Sequence, residues 1–492
     1  MRNILKITVA FMLLLTIGCH KEYLDPVPQT SLSDLSVFDN KDRVIAQVNG
    51  MYASVKSGAY LGGRFQVYGD LRADNFIPNS SNLVTNFATW NHTEVSSTNE
   101  VQNFWSTVYA AINVITVFMD GLKTSWDGGK LAGKITQTEY DQYMSEARAL
   151  RAMCYFDLLR MYCKPYVLNA GAGPGVPLRL KAEKSAAGND LARSTVAEVY
   201  TQILADLNAA EPLAMVNYSD DLLNTTRIHR NTIIALKTRV YLAKGDWANV
   251  VTESAKMVSA SAPFVSSSGV ANALNATYTG IWASPYTTKE SIFSMPMTTT
   301  NGPGGQNGLP HYFSQGSSES YYLLATSPVY AAMAATDVRK TLMVAVGTGP
   351  TKYYLTKWTD LTTLTNYPPV IRYAEVLLSR AEAIVRSGGA VTQGAVDLLN
   401  AVRVRSFPTG VYTLAGLSTT AAFYTAVLQE RNFEFLGEGI RAYDIMRLGQ
   451  TIPAKDGGNM GTVAAIPSSS VGYMWPISAV ELSLNKLMTA NE

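Results

Sequence analysis

The run from residue 137 to residue 163 constrains the fold of this chain more than any other segment. Tyr143, Ala147, Leu150, Cys154, Leu158 and Met161 recur at steps of four and three, which lays one apolar stripe along a helix. A helix with one apolar face has to bury it against another element, so the stripe predicts packed helices. Thr136 or Thr138 is placed to cap its start. Lys164-Pro165 predicts its end, because a proline pushes the residue before it out of helical geometry.

Other segments repeat the pattern. Residues 195 to 211 read as a helix that starts on Thr195 with Glu198 in the capping-box position and closes at Pro212. Ile233, Leu236, Val240 and Ala243 line one helical face. Gly245-Asp246-Trp247 then makes a turn, and Val250, Ser254 and Met257 continue beyond it. This pair resembles a tetratricopeptide hairpin in Tyr241 and in its turn, though not at Thr238, Val250 and Met257, where small residues would be expected. A second hairpin keeps the small positions better. It runs through Leu377, Leu378, Ala381 and Ile384, turns at Gly388-Gly389, and resumes with Ala395, Val396, Leu398, Leu399 and Val402. Helices are also predicted around 43–55 and 101–121. Residues 259 to 330 differ, being rich in Ser, Thr, Gly, Asn and Tyr, with a glycine run at 302–308 that reads as loop. The expected fold is therefore mainly α, with tetratricopeptide-like helix pairs scaffolding a loop-rich ligand face.

Charge narrows the function. Lys+Arg is 40 and Asp+Glu is 38 in 492 residues, a net charge of +2, which excludes the basic field of a nucleic-acid binder. With 16% charged residues and 27 tyrosines, the surface suits neutral, hydroxyl-bearing or peptide-like ligands better than ionic ones. Cys154 and Cys163 fall in one predicted helix, roughly 13 Å apart along its axis, too far for a disulfide. They read as small buried hydrophobes.

Cys19 reads differently. Arg2 and Lys6 precede an apolar run from Ile7 to Ile17, too short to span about 30 Å of hydrocarbon as a helix and of the length of a secretory signal. Leu15-Thr16-Ile17-Gly18-Cys19 is similar to a bacterial lipobox, with Thr16 where leucine is usual. Residues 1–18 are expected to be a lipoprotein signal peptide, with cleavage before Cys19 and lipid on its thiol. No second apolar stretch is read as approaching membrane length, so several acyl chains would form the anchor. Lys21-Glu22 follows the cysteine as a charged pair.

Five further stretches, in series, carry a resemblance along the whole chain. They are Tyr68-Gly69-Asp70-Leu71-Arg72-Ala73-Asp74-Asn75; Glu146-Ala147-Arg148-Ala149-Leu150-Arg151-Ala152 with Tyr155-Phe156-Asp157-Leu158; Glu290-Ser291-Ile292-Phe293; Pro369-Val370-Ile371-Arg372-Tyr373-Ala374-Glu375 with Ala381-Glu382-Ala383; and Glu430-Arg431, Glu434-Phe435, Glu438-Gly439, Arg441 and Tyr443-Asp444. Trp475-Pro476-Ile477 adds a last one. The chain resembles the SusD/RagB family of outer-membrane nutrient-binding lipoproteins. The resemblance implies a helical region over 19–225 and a SusD/RagB region with the ligand face over 226–492. It also implies a surface-exposed, lipid-anchored protein of the outer membrane that captures a glycan or peptide for a SusC-like TonB-dependent transporter.

Catalytic signatures are missing from the sequence. It has four histidines, no HExxH, no zinc-spaced Cys/His cluster, no EF-hand pattern and no G-x-S-x-G. His229, between Arg227 and Arg230, reads as a surface residue. Ser483-Leu484-Asn485-Lys486 matches S-x-x-K without its companion motifs. The glycines at 302–308 are not expected to open a helix, which argues against a phosphate cradle. Glu146, Glu375, Glu382, Glu430, Glu434 and Glu438 read as partners of arginines such as Arg148, Arg372, Arg380, Arg431 and Arg441, rather than as a glycosidase pair. No enzyme, cofactor or metal site is expected.

Binding is the better reading. A sugar offers an apolar face to flat rings and a rim of hydroxyls to polar side chains. Trp90, Trp282, Tyr286, Tyr312 and Tyr322 are the candidate rings, with Asp74, Asn75 and Asn91 as polar candidates near the first. In the family such a tryptophan joins later-loop aromatics in an arc, and Trp90 matches it by position. Trp105, Trp247 and Trp475 read as core or turn residues. The alternatives are a surface lipoprotein hydrolase and a helical-repeat scaffold without a small ligand.

Overall fold

Side-chain chemistry at the helix starts sets the frame. In the computed structural model, which describes residues 37–79, 83–185, 187–316, 320–346 and 351–491, the long helix runs Gln137–Tyr162. Thr136 is its cap. The Thr136 hydroxyl accepts from the Glu139 N–H at 3.2 Å, and the Glu139 carboxylate accepts from the Thr136 N–H at 2.8 Å. Val196–Ala210 starts the same way on Thr195 and Glu198, and a turn of 3₁₀ helix at Glu211–Leu213 carries the chain past Pro212. Cys19 and the signal-like segment before it lie outside the described residues.

The helices pack in pairs. Asn99–Asp127 lies on Gln137–Tyr162, which lies on Val196–Ala210. Arg230–Lys244 and Trp247–Ser254 form the first predicted hairpin, and Tyr373–Gly388 and Gln393–Val404 form the second. Trp247–Ser254 rests on Tyr373–Gly388, which also receives Thr420–Glu434. Gly245 and Gly389 close the first helix of each hairpin in the left-handed region, at φ 76° and 72°, where a Cβ would be strained. Trp247–Ser254 ends before Met257, which is buried in the core beyond it.

Val48, Leu150, Leu158, Ile203, Leu377, Leu399 and Val427 share the main core. A second core under the loops gathers Leu71, Phe76, Trp90, Tyr312, Phe313, Tyr321 and Trp358. The strands are short antiparallel pairs: Ile77–Pro78 with Tyr321–Tyr322, Ser291–Ser294 with Pro369–Arg372, Met343–Val346 with Lys352–Leu355, and Lys455–Asp456 with Thr462–Val463.

Several readings need correcting. Asn99–Asp127 is long and apolar enough to cross a membrane, but Phe104, Trp105, Ile112, Ile115 and Leu122 are buried in the protein core. His229 is fully buried at the start of Arg230–Lys244, and burial pulls its imidazole down to about 4. The glycine run does open one helical turn, Leu309–Phe313. Two helices had no visible stripe. In Thr420–Glu434 the buried face carries Glu430, Arg431 and Glu434 beside Phe423, Val427 and Phe433. In Arg64–Leu71 it carries Gln66 and Asp70. Cys154 and Cys163 are free and buried, as the spacing predicts. Trp105 and Trp475 are core, and Trp247 packs beside Leu242 and Val250.

One close approach joins the two ends of the chain. A Cβ on Gly69 would stand 2.1 Å from the Gly439 carbonyl oxygen, so only glycine fits there. Next to it, Asp70 Oδ2 accepts from the Gly439 N–H at 2.6 Å, and Gly439 itself sits at φ 78°. Burial pushes the Asp70 carboxyl up to about 7, although the Gly439 N–H pulls the other way.

Candidate ligand site

The glutamates of the sequence motifs are paired with cations, but mostly with partners remote in sequence. Glu146 takes Arg227, Glu375 takes Arg239, and Glu382 takes Arg386 and Arg447. The densest set lies under the loops. Glu290, Asp337, Glu430, Glu434 and Glu438 meet Arg339, Lys357, Arg372, Arg403 and Arg405 in one buried lattice of five acids and five bases. Arg372 is its centre. Its guanidinium bonds Glu290, Glu434 at 2.9 Å and both oxygens of Glu438, at 2.8 and 2.9 Å. Burial alone would raise the Glu434 carboxyl. The guanidiniums of Arg405, Arg372 and Arg339 outweigh it and hold the carboxyl well below the usual range.

The lattice positions an indole. The Lys357 ammonium lies 4.6 Å from the Trp282 ring centroid and the Arg372 guanidinium 5.4 Å from it, so two fixed cations brace the ring. Trp282 meets Trp358 edge to face at 6.0 Å. Together with Tyr286, Asn366, Tyr367, Ser291 and Ser294 these residues line a shallow recess whose inner space, about 10 Å³, is that of a single water. The mouth is set by loop chemistry. Tyr286 takes a left-handed backbone, φ 65°, and packs 5.3 Å from Tyr367. Its hydroxyl accepts from Asn366 Nδ2 at 2.9 Å, and Asn366 Oδ1 accepts from the Asp360 N–H at 3.0 Å. Asp360 in turn gathers the N–H groups of Thr362, Thr363 and Thr365, which folds the loop back on itself. The indole N–H groups of Trp282 and Trp358 are both buried, and neither meets an acceptor among the described residues. The two half-exposed tyrosine rings at the mouth, set on the buried indoles, are the faces that suit a polyhydroxylated ligand.

Of the sequence candidates, Trp282 and Tyr286 come together here. The others stand elsewhere, and Trp90 needs correction as a stacking ring. It has no exposed surface, donates to the Phe76 carbonyl at 2.7 Å, stacks on Phe87 and carries the Lys455 ammonium 5.2 Å from its centroid. A ring covered on all sides has no face to give a ligand. Tyr312 is also fully buried, donating to the Gln306 carbonyl at 2.6 Å. Tyr322 lies in its strand with Lys352 over the ring at 4.6 Å. Asp74 is held by Arg441 through two bonds of 3.0 and 3.1 Å, and Asn75 donates to Asn432 at 2.8 Å. Asn91 is half-buried at the end of Phe87–Asn91. Sequence reasoning missed Trp358, Asn366 and Tyr367, which lie beyond the loop-rich stretch at 259–330. Their signal is the same one: aromatics and Asn in a Thr-rich segment.

Comparison with known proteins agrees with this architecture. Residues 22–242 match a family model described as "Starch-binding associating with outer membrane", and residues 335–492 match the SusD family model. A SusD-like protein, P38, of Formosa agariphila is 28% identical over 269 residues, which is 52% of this chain and 46% of that protein, about half of its length. The crystal structure of a SusD superfamily protein from Bacteroides fragilis superposes with a TM-score of 0.80 at 32% identity, covering 92% of this chain and all of that one. A laminarin binding SusD-like protein shares the fold at 21% identity, with a TM-score of 0.71 and coverage of 92% and 99%. The helix pairs, the ion-paired motif residues and matches reaching both halves of the sequence lead to one conclusion: the chain belongs to the SusD/RagB family.

Proposed function

We propose that this protein captures a neutral glycan at the Trp282–Tyr286 recess and passes it to a SusC-like TonB-dependent transporter in the outer membrane. Lipid on Cys19 holds it at the cell surface. Proteins of this family bind without catalysing, and the description of its amino-terminal family model names both starch binding and the outer membrane. The observation that carries the reading is the recess itself. The rings of Tyr286 and Tyr367 stand half exposed at its mouth, 5.3 Å apart, over the buried Trp282 and Trp358. A pyranose sets its apolar face on such rings. Laminarin, bound by one fold relative, is a ligand of this chemical kind.

The test offers residues 20–492, without lipid, to a panel of neutral polysaccharides and peptide mixtures, and reads retention and fragment masses from the same samples. The expected result is retention of a glycan without new fragments, weakened at least tenfold by Trp282→Ala or Tyr286→Ala. Retention of peptides alone would move the ligand class. Glycan retention indifferent to both substitutions would move the site.

A further inference from the structure

A second concave site, sharing no lining residue with the recess, lies where the amino-terminal helices meet the chain just after Ser294. The Lys41–Val55 helix, the end of the Asp221–Thr226 helix and the chain at 295–301 enclose a cleft of about 240 Å³. That is just below the ~300–1,000 Å³ of typical small-molecule pockets, room for one sugar ring rather than a chain. Two cations line it, Lys56 and Arg227, and no carboxylate does.

The two cations differ in what they face. Arg227 grips the buried Glu146 carboxylate through two bonds of 2.7 and 2.9 Å, and Tyr52 donates its hydroxyl to the same group. One positive and one negative charge cancel there. Lys56, just past the end of the Lys41–Val55 helix, is half-buried, and burial pulls its ammonium below the ordinary lysine value. Among the described residues no acid, ring or carbonyl pairs with it. Asn49, Thr226 and Asn301 supply a polar rim, and Met295 and Pro296 an apolar wall. A partly desolvated ammonium attracts an anion more strongly than one in open water.

We infer that this cleft binds a carboxylate-bearing sugar unit, its carboxylate on Lys56, its hydroxyls on Asn49, Asn301 and Thr226, and its ring against Met295 and Pro296. The cleft and the aromatic recess have no lining residue in common, so each can be tested by its own substitutions.

The experiment titrates residues 20–492 with D-glucuronate and, separately, with D-glucose, and follows binding by calorimetry at low salt. Glucuronate is expected to bind at least tenfold more tightly than glucose. Lys56→Gln should erase the preference. Ala53→Phe, which fills the cleft from an exposed helix position, should block binding. Trp282→Ala should leave glucuronate binding unchanged. Equal binding of the two sugars, no binding of glucuronate, or a preference that survives Lys56→Gln would overturn the inference. Loss of glucuronate binding in Trp282→Ala would place the sugar in the recess instead and overturn it equally.

Discussion

The Gln137–Tyr162/Val196–Ala210 helix pair and the chain at 278–294 both carry buried side chains, yet they are held by different means. In the helix pair, the backbone satisfies its own hydrogen bonds, and apolar contacts among Leu150, Leu158, Ile203 and Leu207 do most of the joining. One buried ion pair, Arg151 with Asp206, spans the two helices. The 278–294 segment has only four residues of strand and one 3₁₀ turn. It is pinned instead by side chains. Glu290 takes Arg372 and Arg405, and the Tyr278 hydroxyl donates to the Glu434 carbonyl at 2.8 Å. Buried ion pairs add little net stability compared with apolar residues of the same shape, but removing one partner is costly. The difference teaches that apolar burial builds the scaffold, whereas the ionic lattice fixes where the loop aromatics stand.

That contrast can be broken at its strongest point first. Arg372→Met leaves Glu290, Glu434 and Glu438 short of a buried cation, and we expect about 3–5 kcal/mol lost in urea unfolding, together with loss of glycan retention. A destabilisation below about 1 kcal/mol would mean that the lattice does not hold the loops. Leu150→Ala, in the scaffold, should cost about 3 kcal/mol through the cavity it opens, yet leave retention at the recess intact under folding conditions. If both variants lost retention at equal stability, the two regions would be one.

A smaller effect tests the joint between the ends of the chain. The folded Asp70 carboxyl, at about 7, holds its proton where the unfolded one, near 3.8, has released it. The native state therefore binds more protons between these values. Its stability is greatest below about pH 4 on this account, falls as pH rises towards 7, and levels above that. Across pH 5 to 7 the fall is on the order of 2 kcal/mol. Asp70→Asn should remove that slope in denaturation curves measured at several pH values, and an unchanged slope would show that another group titrates. The smallest change is Thr195→Ala, which deletes half of a capping box and should cost about 1 kcal/mol in the same assay, with no effect on binding.

Legibility in the sequence followed the same divide. The 137–163 stripe, the Thr195–Glu198 cap and the turns at Gly245 and Gly388-Gly389 are local, and the structure has them within a few residues. Thr420–Glu434 escaped because Glu430, Arg431 and Glu434 interrupt the apolar stripe of its inward face, where Arg339, Arg403 and Asp444 pair with them. The carboxylates read as ion-paired, but Glu146 meets Arg227 rather than Arg148, and Arg441 meets Asp74. In the candidate site, Trp282 and Tyr286 are visible as loop aromatics. Nothing local separates them from Trp90, whose ring is enclosed by Phe87, Lys455 and a glycine at 457.

By itself, the sequence determined the helical frame, the family, and the absence of catalytic motifs from the chain. Caps, turns and apolar period act over three or four residues, so they can be read without a fold. Only the tertiary structure decided which charges share the lattice, which aromatics line the recess and which lysine faces a cleft. Those depend on contacts between residues as far apart in the chain as Gly69 and Gly439, whose meeting requires that each lack a Cβ and that the rest of the chain already be in place.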